Sequence, residues 1–321
     1  MKHLMLVTLL LGIVVTNGLG YAAGTDSQGE YPNLKFTGFA RARYTWDLTP
    51  GKVDGFSIAQ ARFGITGDIS KFFTYTFSIE GTNADTENRK MVYDVYIETS
   101  IVKNFKIRVG QFKYAFGLEQ TTPDADLEFI NKAEVVNNLI KPTRDIGIQV
   151  AREFVFDKVR SNLTLGLVNG SGSNIEDENN RKTWVGRLTV TPIKGLTLGA
   201  SFYDGTTGVA DKKTRAGAEL RFDYKKFTLK AEYISGKDKT VKKDGYYAML
   251  GYTVLPSTVL LVRYDNWDTN RSLVDRDISR WTVAVNYFFG KNILWRNNYE
   301  HRIEKPGIKN DLVMTQIQVK W

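Results

Sequence analysis

The chain has 321 residues, a formal net charge of +9 and no cysteine. Without cysteine, neither disulfides nor thiolate metal sites can hold the fold together. The mean hydropathy is −0.30, and after the N-terminal segment no apolar run approaches the ~20 residues of a membrane-spanning helix. Transmembrane strands remain possible, because every second residue of such a strand faces water.

The N-terminal segment has the pattern of a secretory signal peptide. Lys2 precedes an apolar run over residues 4–15, and small residues follow as far as Ala22. The run is too short to span a bilayer as a helix, and this order of charge, apolar core and small residues is typical of exported chains. We predict a signal peptide (1–22) and one mature domain (23–321); the alternative is a buried N-terminal helix. An exported protein has no access to the nucleic acid of the cell. The positive charge therefore indicates binding of small anions or anionic lipid rather than of nucleic acid.

Period-two alternation of apolar and polar residues predicts an all-β chain of about sixteen strands. No linker or low-complexity segment interrupts them, so a single domain is expected. The predicted spans are 34–46, 56–69, 72–82, 90–101, 105–112, 143–156, 159–169, 182–192, 195–203, 214–224, 226–236, 244–255, 257–267, 277–289, 292–302 and 310–321.

The connections between these strands alternate in length. Short ones, such as 70–71 and 157–158, are followed by long polar ones, such as 47–55 and 170–181. Short turns on the periplasmic side and longer outer loops are typical of an up-and-down transmembrane barrel, whereas a soluble sandwich has no reason to sort its turns in this way. An even number of strands also places both ends of the domain on the periplasmic side.

Alternation alone allows either a soluble barrel with a dry core or a membrane barrel whose apolar faces point outward. Two observations favour the membrane barrel: the polar faces carry too much charge for a packed interior, and the apolar faces carry aromatic residues near the strand ends, where interfacial girdles lie. The last strand ends on Trp321 and resembles the signal read by the barrel-assembly machinery. We therefore predict an all-β, antiparallel barrel in the bacterial outer membrane, in contact with lipid and lipopolysaccharide.

The same alternation directs fourteen basic side chains and eight acidic ones into the lumen. A narrow aqueous pore with such a surplus concentrates anions and rejects cations, and the guanidinium fork suits phosphate or carboxylate. The alternative is that the charges pair across neighbouring strands, as Arg221 could with Glu232. Seven basic residues near mid-strand are candidates for the pore lining: Arg41, Arg62, Arg108, Arg187, Lys230, Arg263 and Arg296.

The connection after the fifth strand, from Lys113 to Pro142, is the longest and exceeds an ordinary surface turn. A loop of this length can fold into the barrel and narrow it. Its stretch Leu127–Leu139 has a helical pattern, and Lys113, Lys132 and Lys141 are candidate anion contacts.

Three motifs around this loop carry a family resemblance: Gly-Gln-Phe-Lys at 110–113, Phe-Gly-Leu-Glu at 116–119 and Arg-Asp-Ile-Gly-Ile-Gln at 144–149. Together they resemble the phosphate-selective porins, the porin O and P family. The resemblance implies a homotrimer, an infolded third loop and an arginine ladder leading to a lysine-lined constriction. Two departures stand against phosphate specificity: Ala115 replaces a usual Pro, and the loop carries more acid than base.

The sequence thus predicts an outer-membrane porin for passive diffusion of small anions, with phosphate or polyphosphate as candidates. The alternative is a general diffusion porin with little ion selectivity. An enzyme is not expected, because the only mature histidine, His301, has no Gly-x-Ser-x-Gly nucleophile motif to accompany it. No cofactor is expected either, since the acidic runs at 124–126 and 174–178 fit no complete calcium loop.

Overall fold

The computed structural model describes residues 31–82, 91–208, 210–304 and 307–321. The predicted signal peptide (1–22) lies outside these residues. Sixteen antiparallel strands form one closed barrel in which sequence neighbours pair and the first strand pairs with the last, which confirms the predicted fold class. The strands are β1 Lys35–Asp47, β2 Gly55–Ser70, β3 Phe73–Glu80, β4 Val92–Thr99, β5 Phe105–Lys113, β6 Arg144–Phe156, β7 Val159–Val168, β8 Thr183–Ile193, β9 Leu196–Thr207, β10 Asp211–Tyr224, β11 Phe227–Asp238, β12 Val241–Leu255, β13 Thr258–Asp268, β14 Asp277–Phe288, β15 Ile293–Ile303 and β16 Leu312–Lys320.

Strand β14 shows why the barrel is inverted relative to a soluble one. Its apolar residues, such as Trp281 and Val283, are exposed on the outer surface, while Arg280 and Asn286 are buried on the inner side. Because strand side chains alternate between the two faces, this pattern places the hydrocarbon of the bilayer against the apolar face. Within the described ranges, no helix is long and apolar enough to cross a membrane.

Two hairpins extend further than the sequence predicts. Strand β9 continues to Thr207 and β10 begins at Asp211, where Asp211 pairs with Thr207; β12 begins at Val241, opposite Asp238. The polar residues in these segments suggest loops, but at the long-loop end of the barrel a strand can be hydrated on both faces. The predicted alternation of short and long connections therefore fails at these two hairpins.

The third loop, residues 114–143, lies inside the barrel, as predicted. It contains two short helices, α1 Leu118–Thr121 and α2 Glu134–Leu139, with a 3₁₀ turn at Asp124–Asp126 between them. Apolar side chains of the loop form a buried core with inward-facing side chains from strands between β7 and β14. The loop therefore packs closely against this side of the barrel wall. The core residues from the loop are Tyr114, Phe116, Phe129, Ala133, Val135, Val136, Leu139 and Ile140.

The predicted helical stretch Leu127–Leu139 is helical only from Glu134 onward, so that prediction is wrong for its first half. The reason lies in the barrel wall, whose inward donors take the loop carbonyls that a helix would use internally. The donor–acceptor pairs are Arg296 with Leu127 O (2.7 Å), Asn286 with Glu128 O (2.8 Å), Arg263 with Asn131 O (3.1 Å) and Arg280 with Lys132 O (2.7 Å).

Candidate functional site

The third loop separates two cavities in the lumen. The wider one, of about 880 Å³, opens toward the long-loop end and is bordered by Arg41 and Asp124. The narrower one, of about 210 Å³, lies toward the short-turn end and is bordered by Arg296 and Gln318. Leu127 borders both cavities. The constriction therefore lies where the loop approaches the seam between the first and last strands.

Most of the fourteen predicted inward cations have a carboxylate partner. Arg108 pairs with Glu98 at 2.7 Å, and Arg187 pairs with Glu219. Because each such pair is nearly neutral at a distance, it adds little to the potential along the pore. Eleven of the fourteen are paired in this way: Arg62, Lys106, Arg108, Arg144, Arg187, Arg215, Arg221, Lys230, Arg263, Arg280 and Lys320.

The other three, Arg41, Arg43 and Arg296, form what we call the arginine column. In the part of the chain that the structure describes, their side chains contact amides and carbonyls rather than carboxylates. Arg41 Nε donates to Gln318 Oε1 at 2.7 Å, Arg296 Nη1 donates to the same oxygen at 3.2 Å, and Arg43 Nε donates to Gln316 at 3.1 Å. An amide oxygen orients a guanidinium without cancelling its charge.

Strand register explains the arginine column. In the β1–β16 pairing, Arg41 lies opposite Gln318 and Arg43 opposite Gln316, so each arginine faces an amide. Arg41 and Arg296 are almost fully buried. A buried cation without a carboxylate is costly, and inside a membrane protein such a residue is a functional-site candidate.

Asp124, in the 3₁₀ turn of the loop, gathers another group of cations. Its Oδ1 lies 2.9 Å from Lys113 Nζ and 3.7 Å from Lys132 Nζ, and its Oδ2 lies 2.8 Å from Arg62 Nη1. Burial opposes ionisation of this carboxyl, but Lys113, Arg62 and Lys132 hold the pKa of Asp124 well below its usual range. Arg41 also donates to the main-chain oxygen of Asp124.

The predicted site residues thus occupy three settings. Around the constriction the structure brings together Arg41, Arg62, Arg296, Lys113 and Lys132. On the wall or against the docked loop lie Arg108, Arg187, Lys230 and Arg263, paired with Glu98, Glu219, Glu128 and Glu119. Apart from these lies Lys141, whose side chain is exposed at the end of the loop and whose carbonyl accepts from Lys213.

The suggested pairing of Arg221 with Glu232 is wrong, and one candidate functional feature was not recognised from the sequence. Arg221 pairs with Asp223 rather than with Glu232, which instead accepts from the loop backbone. Gln316 and Gln318 orient the arginine column, yet they look like ordinary inward polar residues. Their alternation along the last strand was visible in the sequence. Recognising that they face the arginines would also have required the exact register of the last strand against β1.

The Phe116-Gly117-Leu118 motif docks the loop onto the wall. Gly117 has φ 68°, and this turn lets the Leu118 and Glu119 N–H groups donate to the Glu232 carboxylate at 3.1 and 3.2 Å. The Gly117 N–H also donates to Ser201 Oγ at 3.0 Å. Only glycine adopts this conformation readily, so the motif follows from backbone geometry.

Replacing Gly117 with alanine is expected to weaken loop docking. A Cβ there would lie 2.0 Å from a Glu232 carboxylate oxygen, and the positive φ adds strain, for a loss of about 1–3 kcal/mol. Urea unfolding in lipid vesicles measures the loss, and added current noise in single channels reports the loosened loop. Gly166→Ala is the control, because the nearest atom to its Cβ would be 3.7 Å away; equal effects of the two variants would contradict this account.

Comparison with known proteins agrees with this geometry. A family model described as phosphate-selective porin O and P matches residues 44–207, including all three loop motifs. The chain belongs to this porin family. Family and barrel together indicate a channel of the bacterial outer membrane rather than an enzyme. No curated protein sequence matches this porin significantly.

Solved structures show the same barrel at low sequence identity. An anion-selective porin from Comamonas acidovorans is 12% identical with a TM-score of 0.69, and the match covers 90% of this chain and 99% of that one. The trimer form of OmpT, an outer membrane protein of Vibrio cholerae, is 12% identical with a TM-score of 0.64, over 91% and 100% of the two chains. Pseudomonas putida OprB is 10% identical with a TM-score of 0.68, over 90% and 94%. At these identities the likeness shows the fold.

Proposed function

We propose that this outer-membrane porin passes small inorganic anions by diffusion and that the arginine column is their path through the constriction. The observation that carries the proposal is that Arg41, Arg43 and Arg296 are oriented by amides and loop carbonyls, with no carboxylate at ion-pair distance among the residues that the structure describes. In a pore walled by low dielectric, such charges raise the local anion concentration.

The wider cavity supports the same proposal. Its side chains include five cations and two carboxylates, and two of the cations, Arg41 and Arg43, have no carboxylate partner among the described residues. An anion entering from the long-loop end therefore meets these two guanidinium groups. The cations are Arg41, Arg43, Lys132, Arg280 and Arg302, and the carboxylates are Asp124 and Glu134. An anion would exchange part of its hydration for guanidinium and ammonium donors, then leave past Arg296 into the narrower cavity.

We further propose the assembly and targeting that the fold suggests. The chain is expected to be exported by residues 1–22, inserted by the barrel-assembly machinery and assembled as a homotrimer among lipid and lipopolysaccharide. The trimer form of Vibrio cholerae OmpT, which shares the barrel, supports the homotrimer.

The test is the reversal potential of the purified porin in a planar bilayer under a KCl gradient, repeated with added phosphate. An anion-selective potential together with phosphate block of the chloride current is the expected result. A potential near zero, with a conductance that rises without saturation, would instead identify a general diffusion porin. That alternative is favoured by the eleven cations that already have carboxylate partners.

A further inference from the structure

Asp124 sits in a set of donors that would suit a free anion. Two ammonium groups, one guanidinium and, at 3.3 Å, the Tyr93 hydroxyl surround its carboxylate. Charged donors of this kind bind carboxylate and phosphate oxygens strongly. The Asp124 side chain is 6% exposed, and it borders the wider cavity through which a permeant anion would arrive.

The barrel wall positions most of these donors independently of Asp124. Arg62 comes from β2 and also contacts Glu80 at 3.2 Å, while Lys113 ends β5. The ring of Tyr93 lies between two guanidinium groups, 3.7 Å from that of Arg62 and 3.4 Å from that of Arg144. Asp124 itself is contributed by the loop. Lys132 also comes from the loop, so the wall supplies three of the four donors, and the loop supplies the fourth together with the carboxylate that fills the site.

Without Asp124, the two lysines would keep only neutral partners among the described residues. Lys113 would retain the Thr122 carbonyl at 3.2 Å, and Lys132 would retain Gln120 Oε1 at 3.1 Å. Two ammonium groups without a carboxylate beside a wide aqueous cavity would attract an anion from solution.

We propose that Asp124 is a tethered anion that occupies a binding site for a permeant oxyanion, such as phosphate or a carboxylate, and lowers its affinity for that ion. The inference rests on the proposed function and concerns the same constriction. A carboxylate on the docked loop competes at an effective concentration on the order of millimolar or higher. A permeant anion must displace it to bind, so occupancy is brief and release is fast, as conduction requires.

The surrounding cations favour the charged form of the tethered carboxylate. Burial opposes its ionisation, but Lys113, Arg62 and Lys132 keep the pKa of Asp124 well below the usual range for aspartate. The neighbouring Asp126 differs: half-exposed, it contacts only the exposed Lys320, at 2.8 Å, among described residues.

The test uses the full-length porin in planar bilayers, with inorganic phosphate titrated against the chloride current. In Asp124→Asn, the phosphate concentration that halves the current is expected to fall about tenfold or more, because one unit charge next to two lysines is removed. Anion preference over cations should rise in parallel. Asp126→Asn is the matched control and should leave the half-blocking concentration within about twofold.

Two further variants keep the proposal falsifiable. Asp124→Glu, which keeps the charge, should have the same half-blocking phosphate concentration as the parent. Adding Lys113→Gln to Asp124→Asn should return this concentration toward the parental value. If Asp124→Asn has the same half-blocking phosphate concentration as an anion-selective parent, the tethered-anion proposal is overturned while the proposed function stands. A larger conductance for anions and cations alike, with no tighter block, would show a displaced loop and also overturn it. A parent without anion preference would overturn the proposed function itself.

Discussion

Replacement of Arg263 with methionine is expected to cost about 3–5 kcal/mol of stability, because it leaves the buried Glu119 carboxylate without its cationic partner. Arg263 is fully buried inside the barrel, where its Nε donates to Asp265 at 3.1 Å and its Nη1 donates to Glu119 at 3.2 Å. It also holds the Asn131 carbonyl at 3.1 Å. Burial raises the pKa of Glu119, and Arg263 is the largest influence opposing that rise. Losing the guanidinium should therefore detach this part of the loop.

Urea unfolding of the barrel in lipid vesicles, together with single-channel recording, measures this effect. Arg221→Met is the matched control, since Arg221 and Asp223 are 46% and 40% exposed and their pair is worth less than about 1 kcal/mol. Adding Glu119→Gln to Arg263→Met should recover part of the loss by removing the stranded charge. Equal losses from Arg263→Met and Arg221→Met would contradict the structural role of the buried pair.

Neutralising the arginine column is expected to abolish the proposed anion preference. The triple replacement of Arg41, Arg43 and Arg296 with glutamine removes three charges that no carboxylate balances in the described part of the chain. A charge at 4 Å contributes about 1 kcal/mol even in water. The triple variant removes all three contributions. Even if only half of their sum acts on a permeant anion, about 1.5 kcal/mol, anion permeability would fall about tenfold, since 1.4 kcal/mol corresponds to a factor of ten.

The reversal potential under a KCl gradient measures this change. The control removes a neutral pair, Arg187→Gln with Glu219→Gln, and should leave the potential close to that of the parent because the net charge is the same. A triple variant that keeps its anion selectivity would show that ions pass elsewhere. A neutral-pair variant that loses selectivity would place the filter on the wall near β8 and β10.

The number of strands and the side of the barrel that each side chain faces could be predicted from the sequence, because successive side chains of a transmembrane strand point alternately to lipid and to the lumen. The segment at 277–289 was predicted almost residue for residue, and its structure spans Asp277–Phe288. The ends of β9 and β10 were missed because polar residues at a hydrated rim carry no burial signal. The first half of Leu127–Leu139 was assigned to a helix because local pattern cannot anticipate carbonyls bonded by the barrel wall.

The candidate site divides in the same way. Arg41 and Arg296 could be assigned to the lumen by counting residues along their own strands, and the length of the third loop alone indicated that it folds inward. Which cations remain without a carboxylate could not be read from the chain, because pairing joins residues far apart in sequence. Arg263 meets Glu119 across 144 positions, and Arg41 meets Gln318 across 277. The sequence by itself therefore determined the barrel and which face of each strand points into the lumen, through the two-residue period of a strand. The closed tertiary structure alone decided which of those charges pair with carboxylates of the wall or of the docked loop, and which are held by amides and carbonyls instead.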